Sequence, residues 1–458
     1  MAGALPAFNG KPLWRDEVYT LATATRPWEA MVRHLVVDDA GLAGYYALMH
    51  VWLLADQSTA WLRLPGAVAA VLASVLVAAI GVRLHGATAG VSAGVLLALM
   101  PVVVEHAQEA RPYPLVLAAL AAAVLGLLRF RDVPGPGRWV AWAAPALVAA
   151  ALHPVVGLPA LLGIVAAATA WSGSAPRATV LAGAAGPALI GFAVMAIGSQ
   201  QLRPVGGPIL ADVVRLRHIV GATALAVCAT VLLVVCGVVA LRRDRGTLVI
   251  LVGWMTLPPV ALLLYGVGAG HYQPRYVAGA APAVAVLAGV GLAAVVGLIG
   301  RPAPRRGAAG ILLLALGAAQ LPSLIETRSA TFSGDDPRAA AASVAAQALP
   351  GDGVVYVGPI ARPMFGLYLG PAPRLRDVLL TQAPPAGVDL AGVEVSDGHV
   401  ERLVDLPARI WILGTLDGAE WTPGPAPART SLVLEKATGD RAMVSDDEFG
   451  RTRVQLWQ

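Results

Sequence analysis

The sequence predicts a polytopic α-helical membrane protein with a small α/β domain at its C-terminal end. Three observations carry this reading. Of 458 residues, 57% are hydrophobic and 13% charged, against roughly 25% charged in an ordinary soluble domain. Apolar runs of about 20 residues, enough to cross a bilayer, recur from residue 66 to residue 325. From residue 335 the composition turns polar, with short β-like runs such as GVVYVG (353–358) and RIWILG (409–414). Mean hydropathy over the chain is +0.69.

The opening MAGALPAFNGKPLWRDEVYT has no apolar h-region, so it reads as neither a signal peptide nor a transmembrane helix. A shorter apolar stretch, GLAGYYALMHVWLLA, covers 41–55; its pattern allows either a span or an interfacial helix. Spans are predicted at 66–84, 88–104, 114–129, 139–153, 155–171, 178–198, 219–241, 247–267, 276–299 and 308–325. That makes 10–11 hydrophobic helices in a membrane domain of residues 1–334. Residues 335–458 form the aqueous domain. There, Asp335-Asp336-Pro337 before an alanine-rich stretch reads as a capped helix start with proline at an early position.

The net charge of +5 is no nucleic-acid footprint, because the arginines are scattered through short loops. RFRDVPGPGR (129–138), RRDR (242–245) and RPAPRR (301–306) are the strongest cytoplasmic loops. Counting spans then places 57–65, 105–113, 199–217, 268–275 and the C-terminal domain outside. Cys228 and Cys236 lie in one apolar helix, too far apart to pair, and neither has metal-ligand spacing.

The charged clusters at the outer ends carry the chemistry. In EHAQEARPYPL (105–115), proline disfavours helix at the residue before it. Pro112 and Pro114 therefore predict extended backbone at Arg111 and Tyr113, with the next helix starting at Pro114. Glu105 and Glu109 are one helical turn apart. GHYQPRYVAGAAP (270–282) repeats an Arg-Tyr pair, Arg275-Tyr276, at another helix entrance. LWRDEVYT (13–20) holds Asp16 and Glu17, and Asp38-Asp39 precedes Tyr45-Tyr46. Taken singly, each has a bland reading: a solvated polar loop, a snorkelling arginine with belt tyrosines, carboxylates at a helix N-terminus. Trp14 and Trp28 offer faces to a sugar ring, but an interfacial role is the ordinary one. Sharing one face, the clusters would supply carboxylates to take a proton and arginines to hold a phosphate.

These residues resemble a known family. WRDEVYT, the acidic spot before YYALMHVW, WLRLPGAVAA, AQEARPYPL and PRYVAGAAP stand in the order found in bacterial GT-C glycosyltransferases. The nearest groups are actinobacterial mannosyltransferase-like proteins and relatives of the protein O-mannosyltransferases and of the lipid A aminoarabinose transferase (glycosyltransferase family 39-like). The resemblance covers most of the chain and is best over 13–130. It implies a GT-C-like membrane fold and a polyprenyl-phosphate sugar donor. It also implies reaction on the outer face of the cell membrane, usually with inversion at the anomeric carbon. Catalysis would fall to Asp16, with Glu17 beside it. Donor phosphate binding would fall to Arg111, Tyr113, Arg275 and Tyr276. A second acidic or acceptor site would hold Asp39, Glu109 and His271. The reading needs Asp16 and Arg111 on one face, so 1–65 becomes a first outer loop with 41–55 as an interfacial helix. Two departures stand out: relatives carry a transmembrane helix ahead of the Asp-Glu loop, and they carry His or Pro where this chain reads DDAGLAGYY.

The expected activity is thus transfer of a sugar, mannose among the candidates, to a hydroxyl of a glycan, lipid or protein acceptor. The partners are the lipid-linked donor, that acceptor and the bilayer, with no nucleic acid. A transporter or flippase of polyprenol-linked intermediates is the alternative, with a non-catalytic binder of lipid phosphate third. The absence of an internal repeat and the clustering of charges at helix ends favour the enzyme. No cofactor is certain. Glu105, His106 and Glu109 offer ligands to a divalent metal, although a supporting or solvated role is the preferred reading.

Overall fold

The structure is a computed structural model. It describes residues 10–458 apart from 171–176, 200–216, 222, 270–273, 300, 330–333, 359, 371–374, 385–388, 401–405, 418–419 and 422–426. The chain divides into two compact units. One comprises Asp38–Leu48 and Ala60–Thr327; the other comprises Asn9–Val37, Met49–Thr59 and Arg328–Gln458.

Three short helices open the chain: α1 (Arg15–Ala24), α2 (Trp28–Val37) and α3 (Ala43–Trp52). Helix α3 lies within the ambiguous stretch 41–55. Its 10 residues make about 15 Å of helix, half of a hydrocarbon core of about 30 Å. It is too short to cross.

Among the described residues, each of the ten predicted spans is mostly helical. Helix α4 runs nominally over Thr59–Leu99, but His85 and Gly86 are not helical, and Gly86 has φ +85° and ψ −178°. Only glycine adopts that backbone without strain. The chain reverses there: Gly81 packs on Gly90, and Gly94 on the Ser74 carbonyl. α4 is therefore a hairpin of two spans, as the break between 84 and 88 predicted. There follow α5 (Tyr113–Asp132), α6 (Pro136–Leu152), α7 (Pro154–Ala170), α8 (Arg177–Ser199), α9 (Ala224–Ala240), α10 (Arg245–Ala269), α11 (Ala281–Gly297) and α12 (Pro302–Glu326). Among the described residues, six helices, α4 among them, are long and apolar enough to span. The protein is a multi-pass membrane protein.

Two helices form the centre of this unit. In α5 and α11, 78% and 89% of the most apolar window is buried, against 17–33% in the other long spans. Outer helices expose Leu189, Leu225 and Leu314, as lipid-facing helices do. Small residues let backbones approach, as in other membrane helix pairs. Gly237 of α9 meets Gly291 of α11, and a Cβ on either would strike the carbonyl of Leu287 or Leu233. The basic loops gather at one end: Arg83 pairs with Asp132, and Arg131 reaches Thr247 at 2.8 Å and Asp244 at 3.8 Å.

The second unit holds the α/β domain. Helix α13 (Pro337–Gln347) begins as read from the sequence: Asp336 accepts from the Ala339 amide at 3.0 Å, with Pro337 in the first turn. Strand β1 (Gly353–Val357) leads through α14 (Ala361–Leu369) to β2 (Arg376–Asp377). A short ribbon, β3 (Leu380–Gln382) with β4 (Val393–Glu394), comes before β5 (Ile410–Asp417) and its partner β6 (Glu420–Trp421). Helix α15 (Pro427–Thr438) and the hairpin β7 (Met443–Phe449) and β8 (Thr452–Trp457) complete it. The main sheet runs β2-β1-β5-β8-β7, parallel across β2, β1 and β5 and antiparallel beyond. Val355, Val357, Ile410 and Ile412 form its core with Val400 and Val433.

The division differs from a single boundary at residue 335. N-terminal segments join the C-terminal domain through bonds that leave no local sequence trace. The Leu13 amide donates to the Tyr368 hydroxyl at 2.7 Å, and Arg26 donates to the Asp389 carbonyl at 3.2 Å.

Overpacking the central seam tests the fold. Gly291→Leu should destabilise the detergent-solubilised protein by about 2 kcal/mol or more, read as a fall in Tm. Gly297→Leu, on the same helix with nothing within 4 Å, should leave Tm in place.

Candidate functional site

The EHAQEARPYPL segment is built differently from the extended, solvated loop predicted. A short helix, Pro101–His106, ends in a series of turns through Pro112, and α5 begins at Tyr113 rather than Pro114. Proline costs no hydrogen bond in a first helical turn, so the helix tolerates Pro114 at its second position. The segment is buried: Glu109 is 3% exposed, Arg111 8% and Tyr113 0%. This overturns the bland reading of a snorkelling arginine in a polar loop. His106 Nδ1 is 3.0 Å from a Glu109 oxygen. Gly66 of α4 packs against the Glu109 and His106 carbonyls, and Arg63, one turn earlier, is fully buried.

A chain of rings joins the two Arg-Tyr motifs. His106 stacks on Tyr113 with centroids 4.3 Å apart. Tyr113 meets His153 at 5.4 Å, and His153 meets Tyr276 edge-on at 5.5 Å. His153 lies in the break between α6 and α7. Arg275 and Tyr276 lie on a 3-10 turn, Pro274–Ala280, that leads into α11. Arg111 and Arg275, far apart in sequence, both act electrostatically on His153 and on Tyr276.

Asp39 belongs to the same unit. Its backbone is left-handed, φ 59°, which aspartate tolerates better than most residues. Its carboxylate accepts from the Tyr46 hydroxyl and acts on Tyr276. The structure thus brings Asp39, Glu109, Arg111, Tyr113, Arg275 and Tyr276 into one neighbourhood. His271 falls outside the described residues.

Asp16 and Glu17 belong to the second unit. Both stand in the first turn of α1, where the helix dipole favours negative charge. Glu17 is fully buried. The Arg15 amide donates to Asp335 at 3.4 Å. Burial pushes the Asp335 carboxyl above the usual range, against the pull of Arg451 and Arg15. Around α1, Tyr19 and His34 bond at 2.8 Å, and His50 Nδ1 lies 2.8 Å from the Ala24 carbonyl. Trp14 is buried, whereas Trp28 is half exposed and touches His50.

Among the described residues, Glu105, His106 and Glu109 form a group that could hold a metal ion, one ligand atom from each lying within 4.8 Å of the others. Two carboxylates and an imidazole suit a borderline or hard divalent cation. Two residues escaped the sequence reading. His153 in LHPVV carried the signal used elsewhere, a titratable residue just before a proline at a helix break. Arg63 in WLRLPG stands at the head of an apolar run.

No family model and no curated protein sequence matches the chain. Solved structures do match in fold. The apo crystal structure of ArnT from Cupriavidus metallidurans superposes with a TM-score of 0.61 at 14% identity, covering 99% of this chain and 96% of that one. The structure of the same protein bound to undecaprenyl phosphate gives a TM-score of 0.60 at the same identity and coverage. The fold implied by the sequence resemblance is the fold observed.

Proposed function

We propose that this protein is an integral-membrane glycosyltransferase that moves a sugar from a polyprenyl-phosphate donor to an acceptor hydroxyl on the outer face of the membrane. One observation carries the reading: Arg111 and Arg275, from separate helix entrances, converge on the Tyr113–His153–Tyr276 stack. A buried guanidinium and a half-buried one beside tyrosines make a site for a phosphate, since guanidinium pairs with phosphate through forked, charge-assisted hydrogen bonds. The likeness in fold to ArnT, an aminoarabinose transferase solved with undecaprenyl phosphate, supports a lipid phosphate as that anion.

In the reaction, the acceptor oxygen attacks the anomeric carbon. The bond from that carbon to the phosphate oxygen breaks, and its electron pair leaves on the lipid phosphate. Asp16, with Glu17 beside it, takes the acceptor proton. Arg111 and Arg275 offset the charge that grows on the leaving phosphate, and Tyr113 and Tyr276 flank it. Asp39 and Glu109, with His271, serve the acceptor side. Attack opposite the leaving group inverts the anomeric centre. Mannose is the proposed sugar, on the sequence resemblance alone, and the acceptor is a glycan, lipid or protein. Under this reading the C-terminal domain is extracytoplasmic.

Transfer from a radiolabelled lipid-linked sugar in proteoliposomes is the direct test. D16N should lower it about 100-fold or more, and R111Q or R275Q about tenfold or more. Full transfer by D16N would leave a lipid-phosphate carrier or binder instead. A second test is topological. Single cysteines at positions 16 and 110, with Cys228 and Cys236 replaced, should both label from outside intact cells with a membrane-impermeant thiol reagent. Labelling from opposite sides would remove Asp16 from the reaction.

A further inference from the structure

We propose that His153 is a third ligand of the donor phosphate, its Nδ1–H donating to a phosphate oxygen held between Arg111 and Arg275. The proposal rests on the reading of those arginines as phosphate ligands and extends it to a residue outside both Arg-Tyr motifs.

His153 is 4% exposed, and its Nδ1 has no hydrogen-bond partner among the described residues. Burying a polar nitrogen without a partner is costly, and native proteins rarely do so without reason. Its surroundings suggest the reason. The ring is wedged between Tyr113 and Tyr276, the two tyrosines of the Arg-Tyr motifs. Arg111 and Arg275 both act electrostatically on the ring, and their neighbours in sequence, Tyr113 and Tyr276, touch it. A neutral imidazole carries one N–H. Toward an anion, a nitrogen bearing hydrogen attracts and a bare lone pair repels, so the bound phosphate selects the Nδ1–H tautomer.

The backbone fixes the ring for this task. His153 is in neither helix, with φ −161° and ψ 86°, and Pro154 opens α7 behind it. Its carbonyl accepts from the Val156 and Gly157 amides at 3.1 and 2.8 Å. A residue tied to the start of one helix and the end of another holds its side chain in place before the ligand arrives.

The test is a binding titration of the full-length protein in phosphatidylcholine nanodiscs with undecaprenyl phosphate. H153F keeps a ring and removes the donor; it should weaken Kd about tenfold. H153N places an amide N–H near the Nδ1 position and should stay within about threefold of wild type. H153Q reaches instead to the Nε2 position and should behave like H153F. Unchanged binding by H153F, or binding by H153N no better than by H153Q, overturns the proposal. The Asn–Gln comparison decides even if H153F fails to fold. R111Q and R275Q separate the two layers. If they weaken binding and H153F does not, only the histidine's role falls. If neither they nor H153F weaken it, the phosphate reading falls with it. Inorganic phosphate binding as tightly as the lipid would overturn the lipid as source of the anion.

Discussion

The membrane unit depends on one constraint: backbone that leaves the helix must be covered by protein, because lipid offers it no hydrogen bonds. Three such breaks matter here. They are the turns through 107–112, the break at His153 and the 3-10 turn Pro274–Ala280. Each adjoins a proline at or near a helix start, and each delivers a ring or a guanidinium. Covering them together rather than separately brings Tyr113, His153 and Tyr276 into one stack. The helices that leave the two Arg-Tyr breaks, α5 and α11, are the most buried of the long spans. Packing at the centre of the bundle and collecting cations at its end are thus the same arrangement seen from two directions.

Much of this was legible in the sequence, for identifiable reasons. A span must be long and apolar, so the ten ranges are mostly helical among the described residues, and the α4 turn shows as a gap at 85–87 that holds Gly86. The Asp336-Pro337 start follows from capping chemistry that needs only neighbouring residues. Arg-Tyr before an apolar run marks a helix entrance, the pattern that Arg111 and Arg275 share. The misses are equally specific. Burial of the 105–113 segment depends on α4, through Gly66 on the Glu109 carbonyl, and nothing within the segment records that. His153 stood alone in an apolar stretch, without the tyrosine or acid that marked the other clusters. The N-terminal helices join the C-terminal domain through the Tyr368 hydroxyl and the Asp389 carbonyl, contacts made across most of the chain.

That last contact set changes what the C-terminal domain is for. A soluble tail read from composition looks like an appendage. In the structure it holds α1, the helix whose first turn carries Asp16 and Glu17. The Leu13 amide is bonded to Tyr368 and the Arg15 amide to Asp335, and Asp335 is itself buried beside Arg451. A carboxylate that acts as a base must be held in orientation, and here the tail supplies the hold. Damage to α14 or to the Asp335–Arg451 pair is therefore damage to the proposed base, although neither lies near it in sequence.

The electrostatics of the membrane unit carry a cost of their own. The membrane unit buries Arg63, Arg111 and His106, and Glu109 lies 3.0 Å from the histidine. Desolvating positive charge is expensive, and replacing such charges with apolar residues often stabilises a protein. A bundle of this hydropathy has no shortage of apolar alternatives. Cations kept dry at its end are what the proposed phosphate site draws on. Under the proposed reading, His153 adds a directed hydrogen bond to that site beside the two guanidiniums.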